Sequence, residues 1–170
     1  MPLPAALAMG SAVLLSATAL LWAAVSDMRT YRIPNLASAG LVAGFLLMAP
    51  FMRLSFLVGG LAVGLGVFAV GGLLFARRLM GGGDVKLLTA VALWCGPTFL
   101  TSFALITSLA GAALAAVMLS PLARGLPAPP KDGWVSAAPG AGALRQPVPF
   151  AVAIAIGGLW VLTRYVAGVR

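Results

Sequence analysis

The sequence predicts an all-α protein, a polytopic helical bundle embedded in a membrane. Its residues are 62% apolar with a mean hydropathy of +1.09. Only 8% are charged, whereas soluble domains carry about 25% charged residues. Apolar stretches recur along most of the chain, without the alternating segments of about ten residues that mark a transmembrane β-barrel. We expect about six transmembrane helices in a single integral-membrane domain over residues 1–170.

The net charge of +8 would suggest nucleic acid as a partner of a soluble protein. Here the basic residues lie in the gaps between apolar runs, so membrane topology explains them better and no nucleic-acid partner is predicted. The chain has one cysteine, Cys95, and no histidine. It therefore lacks the residues for an internal disulfide or a zinc site, and we predict no metal and no cofactor.

The first two predicted spans flank a short polar turn. Residues 1–26 carry no charge, so they lack the positive start of a signal peptide, and we interpret 3–25 as a retained first helix. The polar turn covers 26–32. The second span covers 34–49, with Pro34 at the first helical position, where its missing N–H costs nothing.

Glycine pairs predict close helix packing in the second and third spans, the third covering 54–75. Gly40 and Gly44, like Gly60 and Gly64, have the GxxxG spacing that lets helices approach closely. We expect a structural role for both pairs.

The second half of the chain adds three predicted spans. The fourth begins near Asp84 and ends by Gly96-Pro97, and the fifth covers 99–119. Residues 120–149 hold seven of the twelve prolines and predict an extended, proline-rich loop. The sixth span covers 150–166. The total is six spans, or four if the short second and fourth spans do not cross.

Charge counting predicts the orientation. If the turns around Asp27 and Asp84 share one side with the proline-rich loop, that side carries eight basic residues and the other carries three. The positive-inside rule places the eight in the cytoplasm and both termini outside. The eight are Arg29, Arg32, Arg77, Arg78, Lys86, Arg124, Lys131 and Arg145, and the three are Arg53, Arg164 and Arg170.

Acidic residues are scarce: there is no glutamate, and the aspartates are Asp27, Asp84 and Asp132. Asp27 and Asp84 lie at span ends, on the same predicted face of the membrane. Two carboxylates around one water cannot both ionise, so one acts as a general base and the other, still protonated, as a general acid. We predict that Asp27 and Asp84 form such a catalytic pair, which titrates as a unit.

The residues around Asp84 are predicted to shape this site. Gly81, Gly82 and Gly83 lack a Cβ, so they permit unusual backbone conformations and the close approach of an extended substrate. Lys86 follows, either tuning the pair or extending its amine to the membrane surface.

Each aspartate also has a purely structural interpretation. Asp84 is a favoured residue type for the N-cap of span four, and Asp27 could pair with Arg29 or Arg32 in a surface turn. Asp132 is interpreted as solvated surface in the proline-rich loop. Cys95 and the four tryptophans are interpreted as packing residues and interface anchors.

Two segments together resemble the type IV prepilin peptidases. Gly81-Gly82-Gly83-Asp84 is similar to the GxGD motif of membrane aspartic proteases, and Val85-Lys86-Leu87-Leu88 to the continuation seen in this family. Ser26-Asp27 through Ile33-Pro34-Asn35 resembles the segment of the family's first catalytic aspartate. The segment from Val148 to Ala155 resembles the final span, with Phe150 where a tyrosine often stands.

The resemblance implies a specific activity and setting. It implies an aspartic endopeptidase of a bacterial inner membrane that removes the leader of a prepilin or pseudopilin on the cytoplasmic side, next to pilus assembly machinery. The larger enzymes of the family carry a CxxC-bearing insert and methylate the new N-terminus. With one cysteine and no such insert, this chain resembles the small CpaA/TadV branch, which implies no methyltransferase activity.

Two other classes of function stay open from the sequence. A small transporter or channel would use intramembrane acids as an ion path, although such acids are more often placed mid-span. A non-enzymatic scaffold of a secretion complex would tolerate loss of either aspartate. A preflagellin or general leader-processing protease would differ only in its substrate.

Overall fold

The computed structural model of the chain describes residues 3–120 and 148–167. Within them it is all-α, as the sequence predicts, and no strand occurs in the described ranges. The prediction of a loop over 120–149 falls mainly on residues outside these ranges, as does Asp132. The helices are α1 (Leu3–Thr30), α2 (Asn35–Met48), α3 (Leu54–Ala76), α4 (Gly82–Leu119) and α5 (Ala151–Val166), with a 3₁₀ turn at Ala49–Phe51.

Three of these helices, α1, α3 and α4, are long and apolar enough to cross a membrane, while α2 with its 3₁₀ turn and α5 are shorter apolar helices. Large apolar side chains stay exposed along their outer faces, among them Leu14, Leu65 and Leu109. Such faces are stable only in contact with lipid, because water would make their exposure costly. The chain is therefore a helical membrane bundle.

Helix α4 reverses direction at Gly96, where φ is +50° and ψ is −168°. Because Pro97 follows and cannot donate a backbone hydrogen bond, the helical ladder breaks there. The first arm (82–95) runs parallel to α5, since Trp94 packs on Tyr165 near the end of α5. The second arm (97–119) runs antiparallel to α5, since Gly111 packs against Phe150 at its start. The two arms are the predicted fourth and fifth spans.

The first arm of α4 lies at the centre of the bundle and packs on α2, α3 and α5. Trp94 is fully buried, and its Nε1 donates to the Leu41 carbonyl at 3.0 Å. The Tyr165 hydroxyl donates to the Trp94 carbonyl at 2.6 Å. These hydrogen bonds satisfy polar groups that water does not reach inside a membrane. They also connect α2, α4 and α5.

Two boundaries around Asp27 differ from the prediction. Helix α1 continues through Thr30, so Asp27 lies in its last turn and not in a polar loop. It ends because Tyr31 adopts a left-handed conformation with φ of +52°, and the Tyr31 N–H donates to the Asp27 carbonyl at 2.9 Å. Pro34 is the N-cap of α2 with ψ of 134°, and not its first helical residue.

The predicted packing role of the glycine pairs is confirmed. A Cβ on Gly40 or Gly44 would meet α1, at Ala19 and at the Ala12 carbonyl respectively. A Cβ on Gly60 would approach the Leu93 carbonyl to 2.6 Å. Both pairs therefore lie at helix crossings where a side chain would force the helices apart.

We expect Gly60→Ala to destabilise the bundle by about 1–3 kcal/mol, because the added methyl meets backbone that cannot swing away. Gly66, on the same helix, has nothing within 4 Å of its Cβ position. Gly66→Ala should change stability by less than about 1 kcal/mol, and in the favourable direction, since alanine is the better helix former. Unfolding in detergent followed by circular dichroism measures both, and equal stabilities would contradict the packing interpretation.

Candidate active site

Asp27 and Asp84 come together at one end of the bundle, where α1 ends and α4 begins. They are far apart in sequence, yet the Asp84 carboxyl interacts electrostatically with that of Asp27. Asp27 is 6% exposed and Asp84 is half-buried. Two acids that share one partly dehydrated place are costly to keep in a membrane protein unless they are hydrogen-bonded or share a proton.

The Asp27 carboxylate binds the beginning of α5. Its Oδ2 accepts a hydrogen bond of 2.9 Å from the backbone N–H of Ala151, the first residue of that helix. The partial positive charge of a helix N-terminus stabilises a carboxylate placed there. The alternative interpretation, a surface ion pair with Arg29 or Arg32, is not what the structure has: within the described ranges Asp27 is buried against α5.

Asp84 lies in the first turn of α4, three residues after the N-cap, which is Gly81. Asp84 is therefore not the N-cap that the structural interpretation required. Its carboxyl faces back toward the backbone N–H of Gly81, as a carboxylate does in one half of a capping box. Consequently two helix N-termini, those of α4 and α5, meet at this pair of carboxyls.

Lys86 joins the site to the start of α2. Its Nζ donates to Asn35 Oδ1 at 3.0 Å, and both side chains are exposed. The amine therefore lies on the same end of the bundle as the two aspartates and is held there by a hydrogen bond.

A sequence model of the type IV leader peptidase family matches residues 14–116, more than half of the chain. The chain belongs to the type IV leader peptidase family. Comparison with curated proteins and comparison with solved structures gave no match. The matched range contains both Asp27 and Asp84, while α5 and its contact with Asp27 lie beyond it.

The three glycines before Asp84 do not adopt the unusual backbone conformations that the sequence predicted, since none of them has a positive φ. They differ instead in how tightly the peptidase packs around them. A Cβ on Gly83 would approach the Cβ of Ile33 to 3.0 Å, next to the backbone of the α1–α2 connection. A Cβ on Gly82 would meet only the edge of the Phe75 ring, at 3.2 Å. A ring edge can rotate away, whereas a Cβ moves only with its backbone. The close approach therefore requires glycine at 83 more strictly than at 82.

Sequence reasoning missed two groups that surround Asp27 in the peptidase. One is the Ala151 N–H, which has no side-chain signature and was present only as part of a resemblance over 148–155. The other is Tyr31: partial burial and the nearby Asp27 carboxylate raise the pKa of its hydroxyl. Ser26 Oγ donates to the Arg32 carbonyl at 2.8 Å and fixes this turn. No cluster of three metal-ligand residues occurs in the described ranges.

We expect Gly83→Ala to lower leader-peptide cleavage by about 10- to 100-fold if Asp84 is catalytic, because the methyl displaces its carboxyl by a fraction of an ångström and such displacements are costly at a reacting centre. Gly82→Ala is the matched control and should keep most of the activity. The measurement is kcat/KM for both variants in the same detergent. Equal losses would mean that the two glycines serve a property other than the Ile33 contact.

Proposed function

We propose that this peptidase is an aspartic endopeptidase that removes the leader peptide of prepilins at the cytoplasmic face of a bacterial inner membrane. Asp27 and Asp84 are its catalytic residues in this proposal. Gly81, Gly82, Gly83 and Lys86 shape the site around them. The observation that carries the proposal is the meeting of two partly or fully buried carboxyls, from helix ends 57 residues apart, at a pair of helix N-termini.

The chemistry follows from the charge that such a place accepts. Two neighbouring carboxylates repel each other, while the N-termini of α4 and α5 favour negative charge. These two opposing effects together favour a pair of carboxyls that carries one negative charge and shares one proton. The ionised carboxylate removes a proton from a water, the water oxygen attacks the scissile carbonyl carbon, and the protonated carboxyl donates its proton to the carbonyl oxygen.

Collapse of the resulting tetrahedral species breaks the C–N bond and passes a proton to the leaving amine. The leader is released with a new carboxylate, and the mature protein keeps the new amine. The backbone of Gly81 supports this step, because it is extended just before α4 (φ −72°, ψ 141°) and a substrate peptide must lie close to such backbone to present its carbonyl. Lys86, held by Asn35, supplies a positive charge at the same end of the bundle.

Charge distribution supports the cytoplasmic side. In the described ranges, Arg29, Arg32 and Lys86 lie at the end of the bundle that holds the aspartates, as do Arg77 and Arg78 after α3. The opposite end has Arg53 and Arg164. The positive-inside rule then orients the aspartates inward. The sequence carries one cysteine and no CxxC insert, which supports the small CpaA/TadV-like branch and a peptidase without methyltransferase activity.

The decisive experiment is cleavage of a pilin-like substrate, a basic leader followed by an apolar helix, by purified protein in lipid. Asp27→Asn and Asp84→Asn should each lower kcat/KM by at least about 100-fold, since each removes one half of the acid–base pair. Asp132→Asn is the matched control, an aspartate outside the proposed pair, and should retain activity. Mass spectrometry of the products identifies the bond that is cut.

The outcomes separate the competing functions. Activity retained in either Asn variant would remove that residue from the catalytic pair. A folded wild-type protein that cuts none of several pilin-like substrates would favour a transporter or a scaffold. Circular dichroism of each variant in the same detergent checks that loss of activity is not loss of fold.

A pair that shares one proton should also give a bell-shaped pH dependence of kcat/KM. At low pH both carboxyls are protonated and no base remains. At high pH both are ionised and no acid remains. The measurement is the pH profile of the wild-type protein, with folding followed at each pH. A profile that rises to a plateau toward high pH would contradict the shared-proton mechanism.

A further inference from the structure

A cavity of about 340 Å³ lies at the end of the bundle opposite the aspartates. Its walls come from the α2–α3 connection, from the reversal of α4 after Gly96 and from the end of α5. This volume falls in the range of small-molecule sites, about 300–1,000 Å³. The cavity lies about 20 Å from the aspartates, since Tyr165 in its wall is fourteen residues along α5 from Ala151.

The walls of the cavity are mostly apolar and aromatic. Met48, Met52, Phe56 and Phe99 contribute to them. Methionine and aromatic side chains adapt to a flexible hydrocarbon chain. In a bilayer, this surface at the end of the bundle is within reach of the acyl chains of neighbouring lipids.

Among the described residues that line this cavity, one is a cation, Arg53, and its side chain is exposed. Neither aspartate that the structure describes is near it, because both lie at the other end of the bundle, so no acidic residue among the described ones lines the cavity. Ser55 and Thr98 add exposed hydroxyl groups to the same lining. A guanidinium with neighbouring hydroxyls, and with neither described aspartate beside it, matches a phosphate group.

We propose that this cavity binds one anionic phospholipid of the leaflet opposite the aspartates, with the phosphate on Arg53 and an acyl chain along Met48, Phe56 and Phe99. The charge of Arg53 favours an anionic lipid over a zwitterionic one, because the cation of a zwitterionic headgroup would be repelled by the guanidinium. The apolar walls favour a lipid over a free phosphate ion, because a phosphate ion would leave these walls uncovered.

Arg164 provides a matched control. It lies near the same end, in the last turn of α5, and stacks over Trp160 with its Cζ 4.5 Å from the ring centroid. It does not line the cavity. Arg53→Gln and Arg164→Gln therefore remove the same charge from the same face, and only the first removes it from the proposed site.

The experiment reconstitutes wild type and variants in bilayers of phosphatidylglycerol and phosphatidylethanolamine, then counts retained lipids by native mass spectrometry. Wild type should retain one phosphatidylglycerol in preference to phosphatidylethanolamine. Arg53→Gln should lower that retention by about tenfold, as expected for the loss of one charge-assisted contact, and Arg164→Gln should leave it unchanged. Ser55→Phe, which fills the cavity without changing charge, should also lower it.

Three results would overturn the proposal. Equal retention of both lipids would show no anionic site. Equal losses in Arg53→Gln and Arg164→Gln would show only diffuse attraction to a basic face. Displacement of the lipid by millimolar inorganic phosphate would show that the apolar walls do not take part. The outcome is independent of peptidase activity, because Asp27→Asn should retain the lipid as wild type does.

Discussion

The hydrogen bond from the Ala151 N–H to the Asp27 carboxylate is the contact on which the site depends. It joins the end of the first helix to the beginning of the last, across 124 residues of sequence. A buried carboxylate needs a donor, and a helix N-terminus needs an acceptor, so each satisfies a group that would otherwise be unpaired in a membrane. Removal of either partner would leave a buried polar group whose desolvation nothing compensates.

The central arm of α4 connects this contact to the rest of the bundle. At its start, Asp84 faces Asp27, and at its far end Trp94 is hydrogen-bonded to both α2 and α5. Both ends of the arm are therefore fixed, one by polar groups and the other by packed aromatic rings. Glycines at 60 and 64 let α3 lie directly against it. The position of Asp84 is thus determined by contacts along a whole helix, not by the loop that precedes it.

Much of this architecture was predictable, since apolar periodicity and length mark helices independently of their partners. The six predicted segments are all helical, and the aspartates were singled out by their scarcity in an apolar chain. Helix ends were less accessible. Helix α1 continues past Asp27 to Thr30 and ends where Tyr31 adopts a left-handed conformation. From sequence alone, that conformation is expected of glycine or asparagine, not of tyrosine.

The Ala151 donor could not be predicted from residue chemistry at all. A backbone N–H is common to every residue except proline, so only its position at a helix start makes it special. The same holds for the difference between Gly82 and Gly83, which depends on whether the neighbour is a ring edge or a backbone-linked Cβ. Such properties are created by the fold and have no counterpart in composition or motif.

The order of synthesis gives the α5 contact a consequence for biogenesis. A ribosome adds residues from the N-terminus at about 5–20 per second, so both aspartates are made well before the N–H group that binds one of them. Until α5 has entered the bundle, Asp27 lacks its buried donor. Completion of the candidate site is thereby linked to insertion of α5, and a nascent chain that holds both carboxyls has not yet formed that site.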